Sequence, residues 1–505
     1  MISFLIALVA LVAGYFLYGK FVENVFGPDD RLTPAVAKAD GVDFIVLPNW
    51  KVFMIQFLNI AGTGPIFGAI MGAWYGPYAY LWIVLGCIFA GATHDYLSGM
   101  LSIRHGGANL PQLIGTYLGS TTKSVMLVFS VFLLMMVGVV FVYSPALMLG
   151  DMVGNTMIWV VVIFIYYVLA TMLPIDKIIG KFYPVFAFAL LFMAIALFAV
   201  LLIKMPNLPE LWSDLDACNL NEPKSLLGTE NFITKNPVFP CLFLTIACGA
   251  ISGFHATQSP LMARCLQSEK MGRPIFYGSM ITEGVVGLIW ATVSAYFFYY
   301  GGWREVVDAE TTNAFLTQVN SEGGKSLVQY FTAPKVVELV CNNWLGVFGG
   351  VLAVFGVVAA PITSGDTAFR SARLIIAEAL HLCQKSIVKR FYIAVPMFLA
   401  AIALLVWQME NPDGFNTIWQ YFGWANQTLA VFTLWMLTVY LARNKKPFVI
   451  TLIPALFMTT VCSTFLFVSK QALGLDLVLG YSLGALVLFV ALIWFIIWYK
   501  KQIHG

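Results

Sequence analysis

Thirteen stretches of roughly 17 to 25 predominantly apolar residues run along the chain, each long enough to cross the hydrocarbon core of a bilayer as a helix. Their approximate limits are 2–19, 51–74, 78–101, 124–149, 156–173, 183–203, 238–260, 275–301, 344–369, 391–408, 415–441, 448–469 and 478–499. Composition agrees: 60% of the 505 residues are hydrophobic and 10% are charged, against about 25% charged in soluble domains. The mean hydropathy of +0.85 puts more apolar surface in the chain than one core can hide, so the bilayer is the expected solvent. A net charge of +3 and no basic run beyond Arg443, Lys445 and Lys446 argue against a nucleic-acid partner. The first stretch lacks a basic leader and a small-residue cleavage site, and reads as a retained helix.

Loop charges choose the orientation. With the N-terminus outside, seventeen Lys and Arg residues fall in short inner loops and the C-terminal tail, among them Arg104, Arg264, Arg370, Arg373, Lys389 and Arg443. The short outer loops then hold only Lys470. Two long connections, 204–237 and 302–343, become external and are acidic, with Asp214, Asp216 and Glu222 in one and Glu305, Asp308, Glu310 and Glu322 in the other. Each carries a cysteine, Cys218 or Cys341, which an oxidising exterior would allow to pair or to remain free. None of the eight cysteines forms a CxxC pair, so a metal or redox centre is not expected from them.

Two of the apolar stretches contain helix breakers at membrane depth: Ala61-Gly62-Thr63-Gly64-Pro65, and Gly249-Ala250-Ile251-Ser252-Gly253-Phe254-His255 ahead of Ser259-Pro260. Backbone released from helical hydrogen bonds cannot face lipid, so such breaks line a protein cavity, or else the glycines serve close helix packing. Each break opens a set of five spans, the second to sixth and the seventh to eleventh. An odd number inverts one set relative to the other. The fold expected is an all-α polytopic membrane protein with a five-plus-five inverted-repeat core containing two discontinuous helices. Residues 1–50 supply an extra helix and a cytoplasmic connection, 51–203 the first repeat, 204–237 an external loop, 238–441 the second repeat with its loop 302–343, and 442–505 two closing helices.

Ionisable groups inside spans are functional suspects because burying them in lipid is costly. His94 and Asp95 sit near the inner end of the third span, serving either transport or a helix-end pairing with Arg104. Glu283 lies inside the eighth span, where a desolvated carboxyl is disposed either to carry a proton or to pair with an arginine. The densest signal is Thr363, Asp366, Thr367 and Arg370 at i, i+3, i+4 and i+7, with Ser364 beside them. Their hard oxygen ligands suit an alkali cation or a proton relay, and the alternative is an Asp366–Arg370 pair that only fixes packing. Asn416, Gln420 and Gln427 form a polar stripe that either glues helices or lines a solvated path. His255, next to Gln258, is suited to orienting a small carboxylate or to satisfying a freed carbonyl. No GxxxxGK[ST], GxSxG or HExxH motif occurs, so the energy source expected is an ion gradient.

Three segments carry a resemblance: Ala61 to Ile66, His94-Asp95-Tyr96-Leu97-Ser98 leading to Arg104-His105-Gly106-Gly107, and Thr245 to His255. Together they resemble the carbon starvation protein A (CstA) family over most of the chain. The resemblance implies a bacterial inner-membrane carrier for peptides or, in some members, pyruvate with proton coupling. It also implies the five-plus-five core of the amino acid-polyamine-organocation transporters, related to the LeuT fold. On that basis Gly62, Thr63, Gly64 and Pro65 with Ser252, Gly253 and His255 fall at the substrate site, and Thr363, Ser364 and Asp366 near the cation. Gly68-Ala69 stands where many members have Gly-Pro.

The expected function is cation-coupled symport of a small carboxylate or short peptide. Substrate contacts are expected from Gly62, Thr63, Gly64, Pro65, Ser252, Gly253, His255, Gln258 and Gln427, and ion coupling from Thr363, Ser364, Asp366, Thr367 and Glu283, with Na+ or H+ as the ion and no other cofactor. A nutrient receptor that moves nothing, or an intramembrane enzyme using His94, His255 and Asp366, are the alternatives.

Overall fold

The chain was analysed as a computed structural model that describes residues 1–173, 175–215, 233, 236–319, 326–382, 386–411, 414–470 and 472–504. Asp216, Cys218, Glu222, Glu322 and Lys385 lie outside these residues, as do the side chains of Asn416 and Gln420. Every long element is a helix. Among the described residues, ten are long and apolar enough to cross a membrane, or eleven when the bent pair Asn49–Ile60 and Gly64–Tyr75 counts as one span.

In chain order we label them α1 (Ile2–Phe26), α2 (Asn49–Ile60), α3 (Gly64–Tyr75), α4 (Tyr78–Arg104), α5 (Ser120–Val153), α6 (Thr156–Met172) and α7 (Ile175–Lys204). There follow α8 (Val238–Thr245), α9 (Gly253–Ala263), α10 (Glu269–Phe298), α11 (Ala333–Ala379), α12 (Ile387–Glu410), α13 (Gly414–Arg443), α14 (Val449–Val468) and α15 (Leu477–His504). The sequence expectation of thirteen spans is coarser than this. The fifth span is a 17-residue helix. The seventh is two helices of 8 and 11 residues, neither long enough to cross alone. The ninth belongs to a 47-residue helix that bends where Gly346 adopts φ 66°, a left-handed conformation that side chains disfavour.

Burial separates a core from a periphery. In α10, 89% of the most apolar window is buried inside the protein, against 11% in α15, whose Trp494 and Val478 point outward as lipid-facing residues do. α4, α11 and α13 resemble α10, whereas α7, α12 and α14 resemble α15 more closely. The two breaks lie at the centre of the buried set: residues 61–70 and 246–266 are buried throughout.

A strap formed by residues 27–48 crosses the end of α9. Thr33 Oγ1 donates to Leu266 O at 2.6 Å, Ile45 N to Arg264 O at 3.2 Å and Leu47 N to Cys265 O at 3.1 Å. Asp43 on this strap lies 3.7 Å from Arg370 and 3.8 Å from Arg373, and Arg264 pairs with Glu378 at 2.7 Å. Arg370 also donates to the carbonyls of Ala170 and Leu173 that end α6. It therefore pairs with Asp43, and the helix-internal Asp366–Arg370 pair considered from the sequence does not form. Similarly, Arg104 pairs with Glu269 at 3.2 Å, not with His94 or Asp95.

Candidate functional site

Glycine and proline end α2 as their chemistry dictates. After Ile60 the chain turns through Ala61, Gly62 and Thr63, and Pro65 pre-forms the first turn of α3, bent 53° from α2. A helix that stops inside the membrane leaves its last carbonyls without partners. Ser364 Oγ, from α11, donates to two of them, Asn59 O at 3.0 Å and Leu58 O at 3.2 Å. Gly62 lies beside the same hydroxyl, and a Cβ there would sit 3.3 Å from it. Gln56, Asn59 and Thr63, spaced i, i+3 and i+7, are fully buried, yet their side-chain polar atoms have no hydrogen-bond partner in the protein. Buried polar atoms rarely stay unpaired, so this face of the first break is equipped to receive a polar guest.

The second break is held differently. Gly249 takes φ 91°, which turns the chain between α8 and α9. The side chain of Ser252 does not cap α9. Instead Asn426 Oδ1, on α13, accepts from Phe254 N at 2.7 Å and from Ser252 Oγ at 3.0 Å. Trp82 Nε1 donates to Ile246 O at 2.8 Å, and Glu283 Oε1 accepts from Gly249 N at 3.1 Å. Gln427 donates to Phe243 O at 3.0 Å, and Gln258 to Thr257 Oγ1 at 2.9 Å, leaving one unpaired side-chain oxygen on each amide.

The breaks touch. Side chains at Gly64 and Gly72 would overlap Cys248 and Ile246, and a Cβ at Gly68 would lie 2.7 Å from Thr245 O. One side of α3 is thus a seam of glycines, four residues apart, against the end of α8 and the second break. Widened helical turns at Gly64–Gly68, Gly86–Gly91 and Arg273–Tyr277 surround this contact, a feature common near functional sites.

Beside the second break, four buried titratable residues join in a chain. His94 Nδ1 lies 2.8 Å from Asp95 Oδ1, Asp95 Oδ2 lies 2.9 Å from His255 Nδ1, and His255 Nε2 lies 3.5 Å from Glu283 Oε2. The sequence had singled these residues out separately; the fold brings α4, α9 and α10 together to connect them. Among the described residues, one group of His, Cys and carboxylate ligand atoms converges: Cys248, His255 and Glu283, within 4.8 Å of one another.

On α11, Thr363 and Thr367 donate to carbonyls of their own helix. Asp366 accepts from Tyr166 Oη at 2.7 Å and from Tyr183 Oη. So the coupling residues expected from sequence divide into Ser364 at the first break, Asp366 inside a tyrosine clamp, and Glu283 at the second break. Tyr166, Tyr183, Gln56, Asn59 and the capping role of Asn426 were not anticipated. Gln56 and Asn59 had a readable signal, two amides within the apolar run that leads into the break; the tyrosines had none, since an aromatic in a span reads as core. Cys341 is buried and free, and Cys218 lies outside the described residues.

Comparison with known proteins follows this geometry. A family model described as "Carbon starvation protein CstA" matches residues 1–147 and 144–465. An "Uncharacterized membrane protein" of Haemophilus influenzae is 45% identical over 339 residues, 59% of this chain and 91% of that one. The "Peptide transporter CstA" of Escherichia coli K12 is 25% identical over 542 aligned positions, 86% of this chain and 75% of that one. A crystal structure of the manganese transporter of Eremococcus coleocola superposes with a TM-score of 0.54 at 12% identity, covering 92% of this chain and 99% of that one, a likeness of fold alone.

Proposed function

Since the chain belongs to the carbon starvation protein CstA family and is a multi-pass membrane transporter, we propose that it is a cation-coupled symporter importing short peptides or small carboxylates such as pyruvate across the bacterial inner membrane. The observation that carries the proposal is the meeting of two helix breaks in the buried core, one of which presents unpaired Gln56, Asn59 and Thr63. In this reading thirteen spans form, with the N-terminus outside, and α2–α3 and α8–α9 are the discontinuous helices of a five-plus-five inverted repeat.

Substrate binds between the breaks. Gly62, Thr63, Gly64 and Pro65 present backbone on one side, and Ser252, Gly253, His255, Gln258 and Gln427 frame the other. Ser364 and the carbonyls of Leu58 and Asn59 supply hard oxygens beside it. With Thr363, Asp366, Thr367 and Glu283 they make up the coupling machinery, for which Na+ and H+ are the candidate ions. The charged strap around Asp43, Arg370 and Arg373 closes the face that carries the basic loops.

The test is uptake of radiolabelled pyruvate and of labelled dialanine into proteoliposomes, with proton and sodium gradients imposed separately. Accumulation of either substrate under one gradient and not the other supports the proposal and identifies the ion. Binding without accumulation under both gradients favours a receptor and overturns it.

A further inference from the structure

We propose that Asp95, His255 and Glu283 form a single proton-binding site in which Glu283 is the member that changes charge, and that the Gly249 N–H passes this charge state to the second break. Its place in a transport cycle rests on the carrier reading above; the site itself does not.

The argument is one of donors and acceptors. Asp95 has each oxygen within hydrogen-bond distance of an imidazole nitrogen, His94 Nδ1 and His255 Nδ1. An ionised carboxylate only accepts, so both imidazoles direct N–H at it. His255 Nε2 then faces Glu283 Oε2 at 3.5 Å, with the Cys248 thiol as the other group hydrogen-bonded to this imidazole. Without a proton between them, a lone pair would oppose a carboxylate in fully buried surroundings. One proton removes the conflict. That proton sits on His255 as an imidazolium between two carboxylates or on Glu283; Asp95 is already served by two N–H groups, whereas Glu283 has only the backbone N–H of Gly249, so of the two carboxylates Glu283 is the one that exchanges it.

The other titratable groups facing the site are engaged. Cys87 Sγ donates to Met280 O at 3.3 Å, and Cys248 Sγ to Ser252 Oγ at 3.7 Å; His94 reaches the site only through Asp95. Cys248, His255 and Glu283 bring their ligand atoms within 4.8 Å of one another, so a bound divalent ion is the competing occupant that the experiment below tests for. The proton arrives and leaves as H+, forming and breaking one O–H bond, with no redox change. When Glu283 is ionised, its bond from Gly249 N–H is charge-assisted and roughly twice as strong as a neutral one. Protonation therefore loosens the turn between α8 and α9.

The experiment is a substrate-free pH titration of the full chain in lipid nanodiscs, followed by infrared difference spectroscopy. The expected result is a buried carboxylic-acid band that titrates, is lost in Glu283→Gln and survives in Asp366→Asn. In His255→Gln its midpoint moves by at least one pH unit. If Glu283→Gln does not fold, Glu283→Asp serves, and a shifted band frequency supports the assignment. A band unchanged by either Glu283 variant overturns the proposal. So does one equivalent of a divalent metal in the purified protein that disappears in Cys248→Ser. In proteoliposomes, Glu283→Gln should lose at least tenfold of gradient-driven dialanine accumulation; equal accumulation by variant and wild type overturns the coupling role. A titrating band in a wild-type protein that neither accumulates nor exchanges dialanine upholds the site and counts against the carrier reading.

Discussion

The two breaks solve one physical problem in opposite ways. Both leave backbone groups unpaired at membrane depth, where each costs several kcal/mol. At the second break other helices supply the missing partners: Asn426 caps α9, Trp82 takes Ile246 O and Glu283 takes Gly249 N. At the first, Ser364 serves two carbonyls, while Gln56, Asn59 and Thr63 keep unpaired polar atoms. The second break also keeps unpaired atoms, on Gln258 Oε1, Gln427 Oε1 and Asn426 Nδ2, so the contrast lies in the backbone: three helices supply its partners there, whereas a single serine does so at the first break. On the proposed reading, ligand contact falls chiefly to the first break and change of charge to the second, two segments in contact.

Four substitutions probe that division, in falling order of effect. Asp366→Asn puts an amide NH2 against a tyrosine hydroxyl where a carboxylate accepted from both Tyr166 and Tyr183. Coupled uptake should fall to background, about a hundredfold or more (~2.7 kcal/mol), in a protein that still folds; wild-type accumulation would remove Asp366 from the coupling machinery. Asn426→Ala strips Phe254 N and Ser252 Oγ of their acceptor. We expect a loss of about 2–4 kcal/mol of stability, read as a lowered unfolding temperature, and an unchanged melt would erase the contrast between the breaks. Asn59→Ala should do the reverse. Asn59 is fully buried but has no side-chain hydrogen bond to lose, so the loss of stability should be smaller than in Asn426→Ala, while KM for labelled dialanine rises about tenfold at constant kcat. An unaltered KM would show that the unpaired amide does not meet substrate. Ser364→Ala has the smallest effect, about 1 kcal/mol, seen as a several-fold rise in the cation concentration that half-saturates uptake and repaired in Ser364→Thr.

Much of this was legible in the sequence because membrane folding rules are strict. Apolar length marks a span, and glycine with proline inside one marks a break, which is why residues 61–65 and 249–255 stood out unaided. What could not be read was partnership across helices. His94, Asp95, His255 and Glu283 carry no spacing that ties them together, since they lie on three helices joined only by packing. At α11 four residues on one helical face left an Asp366–Arg370 pair as the alternative to a coupling site; Arg370 instead reaches Asp43 on a strap more than 300 residues away in sequence, a partner no periodicity could indicate. Asn426 was similarly passed over for Gln427, its neighbour on the polar stripe, because only the position of α9 reveals which amide faces the broken end.

The glycine seam along α3 has a mechanical corollary. Gly64, Gly68 and Gly72 let the backbone of α3 come so close to Cys248, Thr245 and Ile246 that a side chain at any of the three would overlap them. Close packing of this kind holds the α3 half and the start of the second break together as one unit. Because the strap is hydrogen-bonded to the end of α9 through Thr33, Ile45 and Leu47, any swing of α9 carries that cover with it. Strap and α9 are thus one mechanical element, which ends at the segment beside Glu283.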